Sequence, residues 1–147
     1  MEAINVFTAK KLEGRIDVGR ALGSAETAMY VYDLSAGQLQ CPYHYEYNEE
    51  WLLVVDGTIV LRTPDGERTL ERGELVCFPS GPAGAHQIIN KSESPARTLM
   101  FSSSRVPTVS IYPDSDKIGV WPGNETDDLV FRRDTAVSWA DGEEGFD

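Results

Sequence analysis

Only two histidines, His44 and His86, occur in the 147 residues, and acids crowd the first of them at Glu46, Glu49 and Glu50. Imidazole nitrogens and carboxylate oxygens are the donors that borderline and hard divalent ions take, so the chemistry on offer is metal coordination. On an extended segment, residues two apart share a face. His44 and Glu46 therefore occupy one wall, and Tyr43, Tyr45 and Tyr47 the other. A reversal at Tyr47-Asn48-Glu49 returns Glu50 beside the His44–Glu46 pair, whereas Glu49 points to solvent. His86 has to arrive from a distant strand, which the converging walls of a barrel supply. A single histidine on a strand is more often structural than ligating, so it is the constellation that carries the reading.

The elements that must position these residues are strands. From Met29 onward, short runs rich in Val, Ile, Leu, Tyr and Phe alternate with Gly, Pro and Asp punctuation, a pattern of many short strands. Strands are predicted at Met29 to Leu34, Leu39 to Tyr47, Trp51 to Val55, Thr58 to Arg62, Glu67 to Leu70, Leu75 to Phe78, His86 to Asn90 and Arg97 to Ser103. Asp56-Gly57 reads as a two-residue hairpin, with further turns at Pro64-Asp65-Gly66 and Arg72-Gly73, so successive strands are expected to pair antiparallel. The fold class is all-β, a single antiparallel β-barrel with short terminal extensions. The expected division is an N-terminal extension over 1–28, a barrel over 29–112, and a C-terminal arm and tail over 113–147. Glu2 to Thr27 can hold one short strand or a helix, and the sequence leaves both open. YPDSDKIGVWPGNE reads as an ordered loop or arm, LVFRRDTAVSW as one more strand pair, and DGEEGFD as a frayed end.

Two stretches resemble the cupin superfamily. Gly37 to Gly57 (GQLQCPYHYEYNEEWLLVVDG) is similar to the first cupin motif, with His44, Glu50 and Gly57 matching. Gly73 to Asn90 (GELVCFPSGPAGAHQIIN) is similar to the second, with Gly73, Pro79, Gly81, His86 and Asn90 in order and a loop before His86 two residues longer than the commonest form. The resemblance implies a double-stranded β-helix of jelly-roll type and a divalent ion held by His44, Glu46, Glu50 and His86. Glu46 stands where the family usually has a second histidine. It is the weakest member of the set, since it can equally act as a hydrogen-bond partner to a three-ligand site. Two carboxylates make the set harder, which favours Mn or Fe(II), keeps Zn and Ni compatible and disfavours copper. Full charge neutralisation would also weaken the ion as a Lewis acid. Without an ion, like charge and desolvation would raise the pKa of these carboxylates and destabilise the chain at neutral pH.

Composition limits the partners. Thirteen basic against twenty-four acidic residues give a net charge of -11, which repels nucleic acid and anionic membranes at long range. No stretch has the length or apolarity of a bilayer span, and a cytoplasmic location is the default expectation. Cys41 and Cys77 are expected to be packed thiols rather than a disulfide. The aromatic face of Tyr43, Tyr45, Tyr47 and Trp51 should be covered, and single-domain cupins commonly pair through outer sheets, so a homodimer is expected. Phe78, Leu52 and Val54 are expected to line the barrel near the site, and Arg132-Arg133 to form a solvated edge rather than an acid-binding patch.

The expected function is that of a metal-binding cupin acting on a small oxygen-bearing molecule, by dioxygenase, isomerase or decarboxylase chemistry. The alternative is a non-catalytic small-molecule binding or sensing cupin with a structural metal. No general acid or base stands out: Gln87 faces away from His86 by strand parity, and the catalytic residues are unassigned.

Overall fold

The computed structural model describes residues 1–9 and 14–145, so part of the expected frayed end, residues 146–147, lies outside the described residues. Among the described residues twelve strands are formed: β1 (Arg15–Asp17), β2 (Thr27–Leu34), β3 (Tyr45–Glu46), β4 (Glu50–Asp56), β5 (Thr58–Thr63), β6 (Gly66–Glu71), β7 (Leu75–Phe78), β8 (Gln87–Ile89), β9 (Ala96–Ser103), β10 (Thr108–Tyr112), β11 (Lys117–Trp121) and β12 (Leu129–Arg132). A one-turn helix, α1 (Val18–Ala21), follows β1, its N-terminus capped by Asp17 Oδ1, which accepts from the Arg20 amide at 2.9 Å. The undecided amino-terminal segment thus holds both a short strand and a helical turn.

The strands form three antiparallel sheets, ordered β1-β2-β9-β4-β7, β6-β5-β8 and β12-β11-β10-β3, and the fold is the expected β-barrel of jelly-roll type. Among the described residues, sequence-adjacent strands pair only at β1–β2, β5–β6, β10–β11 and β11–β12. The expectation of successive pairing is therefore corrected at Asp56-Gly57. This turn joins β4, which pairs with β7 and β9, to β5, which pairs with β6 and β8. The register of β4 shifts between Val54 and Asp56, and Gly57 takes φ 74° with Pro95 O only 2.8 Å from where a Cβ would stand. A bulge and a left-handed glycine turn the chain a corner into another sheet, where a hairpin would have kept it in one. Arg72-Gly73 likewise passes the chain between sheets.

Two further expectations change. The long strand Leu39 to Tyr47 is reduced to β3, with single bridges at Leu39–Ile89 and His44–His86, because Pro42 has no amide to give a continuous ladder. The loop read at YPDSDKIGVWPGNE holds the end of β10 and the whole of β11 around a turn at Pro113–Ser115. Its prolines sit outside the ladders, and Asp116 takes the left-handed conformation at φ 45°. LVFRRDTAVSW contributes one strand, β12, not a pair.

Leu34, Leu52, Val54, Ile59, Leu61, Leu70, Phe78, Ile88, Ala96 and Met100 form the apolar core. It lies between the β2-β9-β4 wall and the β5-β8 wall, and Asn90 closes its edge by donating to Leu34 O and Ser94 O at 3.0 and 2.8 Å.

Candidate metal centre

His44 and His86 are direct cross-strand partners. His86 N donates to His44 O at 2.8 Å and His44 N to His86 O at 3.1 Å, which brings the two imidazoles onto one wall with ring centroids 4.8 Å apart. Each ring is then fixed by its own chain: Nδ1 lies 2.9 Å from the carbonyl two residues back, Pro42 O for His44 and Gly84 O for His86. A carbonyl can only accept, so Nδ1 carries the proton and Nε2 is left as a lone pair facing the cavity. The loop that delivers His86 is compact. Gly81 N donates to Glu46 O at 2.7 Å, and a Cβ at Gly84 would fall 1.9 Å from Pro79 O, so no side chain fits there. Phe78 stacks beneath His86 at 3.8 Å between centroids, with Leu52 and Val54 fully buried in the core behind it. Tyr112 stacks on His44 at 5.8 Å.

The carboxylates come from β3 and β4. Glu50 Oε2 lies 3.7 Å from His86 Nε2, and Glu46 Oε1 3.9 Å from His44 Nε2. Ser110, opposite Glu46 in the β3–β10 register, donates its hydroxyl to Glu46 Oε1 at 2.8 Å and accepts from Trp121 Nε1 at 2.8 Å. Glu49 turns away and accepts from Trp51 Nε1. The four expected ligands and Cys41 form two overlapping triads, Cys41–His44–His86 and His44–Glu46–Glu50, each with donor atoms within 4.8 Å of one another.

Burial, reinforced by the Glu46 carboxylate, pushes Glu50 up to about 8, while burial and then His44 pull His86 down to about 4. The Glu50–His86 contact has ion-pair spacing, yet near pH 6 to 7 both groups are neutral without a cation. Burial, with Glu50 and Glu46 adding, pushes the Cys41 thiol up to about 12. His86 is 1% exposed, and its Nε2 has no hydrogen-bond partner. A buried lone pair with two carboxylates and a second imidazole lone pair beside it is the environment that a divalent ion completes, so these residues fit the ion that the sequence implies.

The cavity in front of the cluster measures about 360 Å³, and its lining includes half-buried Tyr30, Tyr32, Ser102 and Thr108, with exposed Arg15 and Arg105 at its mouth. The Arg15 guanidinium lies 4.7 Å from the Tyr30 ring. Among the described residues neither Arg15 nor Arg105 has a carboxylate within ion-pair distance. Sequence reasoning missed Ser110, Trp121 and the mouth arginines. The alternation of Tyr30 with Tyr32 was a legible sign of a cavity-facing row, whereas Ser110 and Trp121 depended on a sheet pairing that no local pattern announces. Gln87 lines a separate depression and faces away, as parity requires. Arg132 and Arg133 are exposed on the β12 side, Arg133 within 3.6 Å of Asp116.

The Cupin domain family model matches residues 30–102, and the chain belongs to the cupin superfamily. Among solved structures it is similar to a sugar phosphate isomerase of the cupin superfamily from Silicibacter pomeroyi, at 26% identity over 88% of this chain and 83% of that one, with a TM-score of 0.76. A protein from Acidithiobacillus ferrooxidans, whose provisional name is also sugar phosphate isomerase, shares the fold at 21% identity over 84% of this chain and 78% of that one, TM-score 0.75. The polyketide cyclase RemF from Streptomyces resistomycificus shares it at 19% identity, 74% and 83% coverage and TM-score 0.60. No curated protein matches the chain in sequence. Among the described residues no helix is long and apolar enough to cross a membrane.

Proposed function

We propose that this cupin is a metal-dependent isomerase of small phosphorylated hydroxy-carbonyl compounds. The observation that carries the reading is the partnerless, buried Nε2 of His86 beside Glu50 and His44. His44, Glu50 and His86 would hold a divalent ion, with manganese or iron(II) favoured by the carboxylate and zinc or nickel compatible. Bound there, the ion supplies Lewis-acid polarisation of a carbonyl oxygen. Glu46 groups with His44 and Glu50 but not with His86, and its carboxylate is pinned by the Ser110 hydroxyl. It is the group assigned to take a proton from the carbon beside the carbonyl and return it to the neighbouring carbon. With the hydroxyl proton passing to the former carbonyl oxygen, such a transfer moves hydrogen within the substrate and needs no oxidant. Arg15 and Arg105 at the mouth supply counter-charge and hydrogen-bond donors for the phosphate. The name of the Silicibacter pomeroyi structure supports this substrate class. Exposed Leu129, Val130 and Phe131 on edge strand β12 support the reading of a homodimer.

The test joins elemental analysis of the purified protein to NMR detection of solvent deuterium entering a panel of aldose and ketose phosphates. Deuterium uptake that Glu46→Gln abolishes at unchanged metal content is the expected result. Metal lost together with uptake in that variant would make Glu46 a ligand instead. A metal-loaded protein that exchanges nothing in the panel would favour the binding or sensing cupin.

A further inference from the structure

The donors around His44 form two triads of different chemical character. His44, Glu46 and Glu50 offer one nitrogen and two carboxylates, whereas Cys41, His44 and His86 offer one sulfur and two nitrogens. Cys41 is free and lines the same cavity as Glu50 and His86. Its position is set by the backbone: bridges at Leu39–Ile89 and His44–His86, with Gln40 N donating to Ile88 O at 2.9 Å, bind the segment on both sides of it. A second and independent pointer is the buried, partnerless His86 Nε2, which belongs to the sulfur-containing triad.

We infer that Cys41 is a metal ligand, so that the centre takes soft and borderline ions such as zinc through Cys41, His44 and His86, and hard ions such as manganese through His44, His86 and Glu50, with Glu46 free in both modes. The inference rests on the metal-centre reading above and extends it to which ion the chain selects. Thiolate sulfur prefers zinc-class ions and carboxylate oxygen prefers manganese-class ions, while imidazole serves both, which matches the position of His44 in both triads. In the zinc mode a metal–sulfur bond forms and the thiol proton passes to solvent, with no change of oxidation state. One thiolate then balances half of the ion's charge, and Glu46 and Glu50 stay outside the shell as free carboxylates. In the manganese mode the thiol keeps its proton. Zinc availability would therefore change not only the ion but also which side chains remain free to handle protons.

The experiment is titration of the EDTA-stripped full chain with Co2+, Zn2+ and Mn2+, since Co2+ reports its ligands by absorption. The expected result is an intense near-ultraviolet thiolate-to-cobalt band that Zn2+ displaces, that is absent in Cys41→Ser and that is retained in Cys77→Ser. Zinc affinity should fall at least about tenfold in Cys41→Ser, a loss no smaller than that seen on removing an outer partner of a metal ligand. Retained Mn2+ affinity in Cys41→Ser, with an unchanged circular dichroism spectrum, shows that the variant folds. Cobalt that binds wild type with visible bands but no near-ultraviolet band overturns the inference and leaves the metal centre standing. An unchanged zinc affinity in Cys41→Ser does the same. Failure of every ion to bind wild type overturns the metal-centre reading itself and this inference with it.

Discussion

The apolar core and the metal cavity share one barrel and meet at Phe78 and Met100, but they treat burial in opposite ways. In the core, Leu52, Leu61, Leu70 and Ile88 are fully buried and carry no polar side-chain atoms, so every contact removes apolar surface from water. In the cavity, His86 is equally buried with an unsatisfied nitrogen, and two carboxylates lie beside it. One region stabilises the fold without any ion. The other is destabilised until an ion arrives, and rigid backbone bridges hold it in place meanwhile.

The independence of core and cavity is tested most forcefully from the core side. Leu61→Ala should cost about 3 kcal/mol by loss of transfer free energy and creation of a cavity. Urea denaturation should show the same cost in EDTA and in manganese. A cost that disappears with manganese would mean that core and cavity are not separable.

A smaller effect should come from pH, and only from the cavity. The folded pKa of Glu50 is raised to about 8, so its contribution is fully present below about 4.5 and is lost as pH rises toward 8. His86 is lowered to about 4, so its contribution is present above about 6.5 and is lost as pH falls toward 4. The two slopes oppose each other between 4.5 and 6.5, and only Glu50 acts above that. The metal-free protein should thus be most stable in a plateau near pH 5 to 6 and lose about 2 kcal/mol between pH 6.5 and 8. Glu50→Gln should flatten the upper limb and reduce the rise in melting temperature on adding manganese. A metal-free stability that climbs from pH 6.5 to 8 would contradict the burial of Glu50.

These two regions were not equally legible in the sequence. His44, Glu46, Glu50 and His86 could be grouped because period-two alternation and two glycine-framed motifs are local signals. The short apolar runs of β4 and β5 likewise announced strands. What could not be read was which strands pair. Asp56-Gly57 looks like a hairpin locally, and only the packing of Gly57 against Pro95 and the bulge in β4 make it a corner. Ser110 and Trp121 were hidden for the same reason: Ser110 reaches Glu46 through the β3–β10 pairing, across sixty-four residues of chain, and Trp121 reaches it only through Ser110. Cys41 was readable as a buried thiol but not as a neighbour of both histidines, because Pro42 interrupts the strand whose parity would have placed it.

The smallest expected effect lies where the regions blend. Ser110 is 1% exposed yet polar, joining the Trp121 indole to the Glu46 carboxylate. Ser110→Ala removes no substantial volume but leaves Trp121 Nε1 without its acceptor and Glu46 Oε1 without its donor, at a cost of about 1 kcal/mol. If Glu46 handles the proton, deuterium exchange should fall roughly tenfold while metal content is unchanged, because the carboxylate loses the bond that orients it. Ser110→Thr, which retains a hydroxyl, should recover part of the exchange. A stability loss in Ser110→Ala with full exchange would assign the Trp121–Ser110–Glu46 chain to the fold alone and move the proton-handling role elsewhere in the cavity.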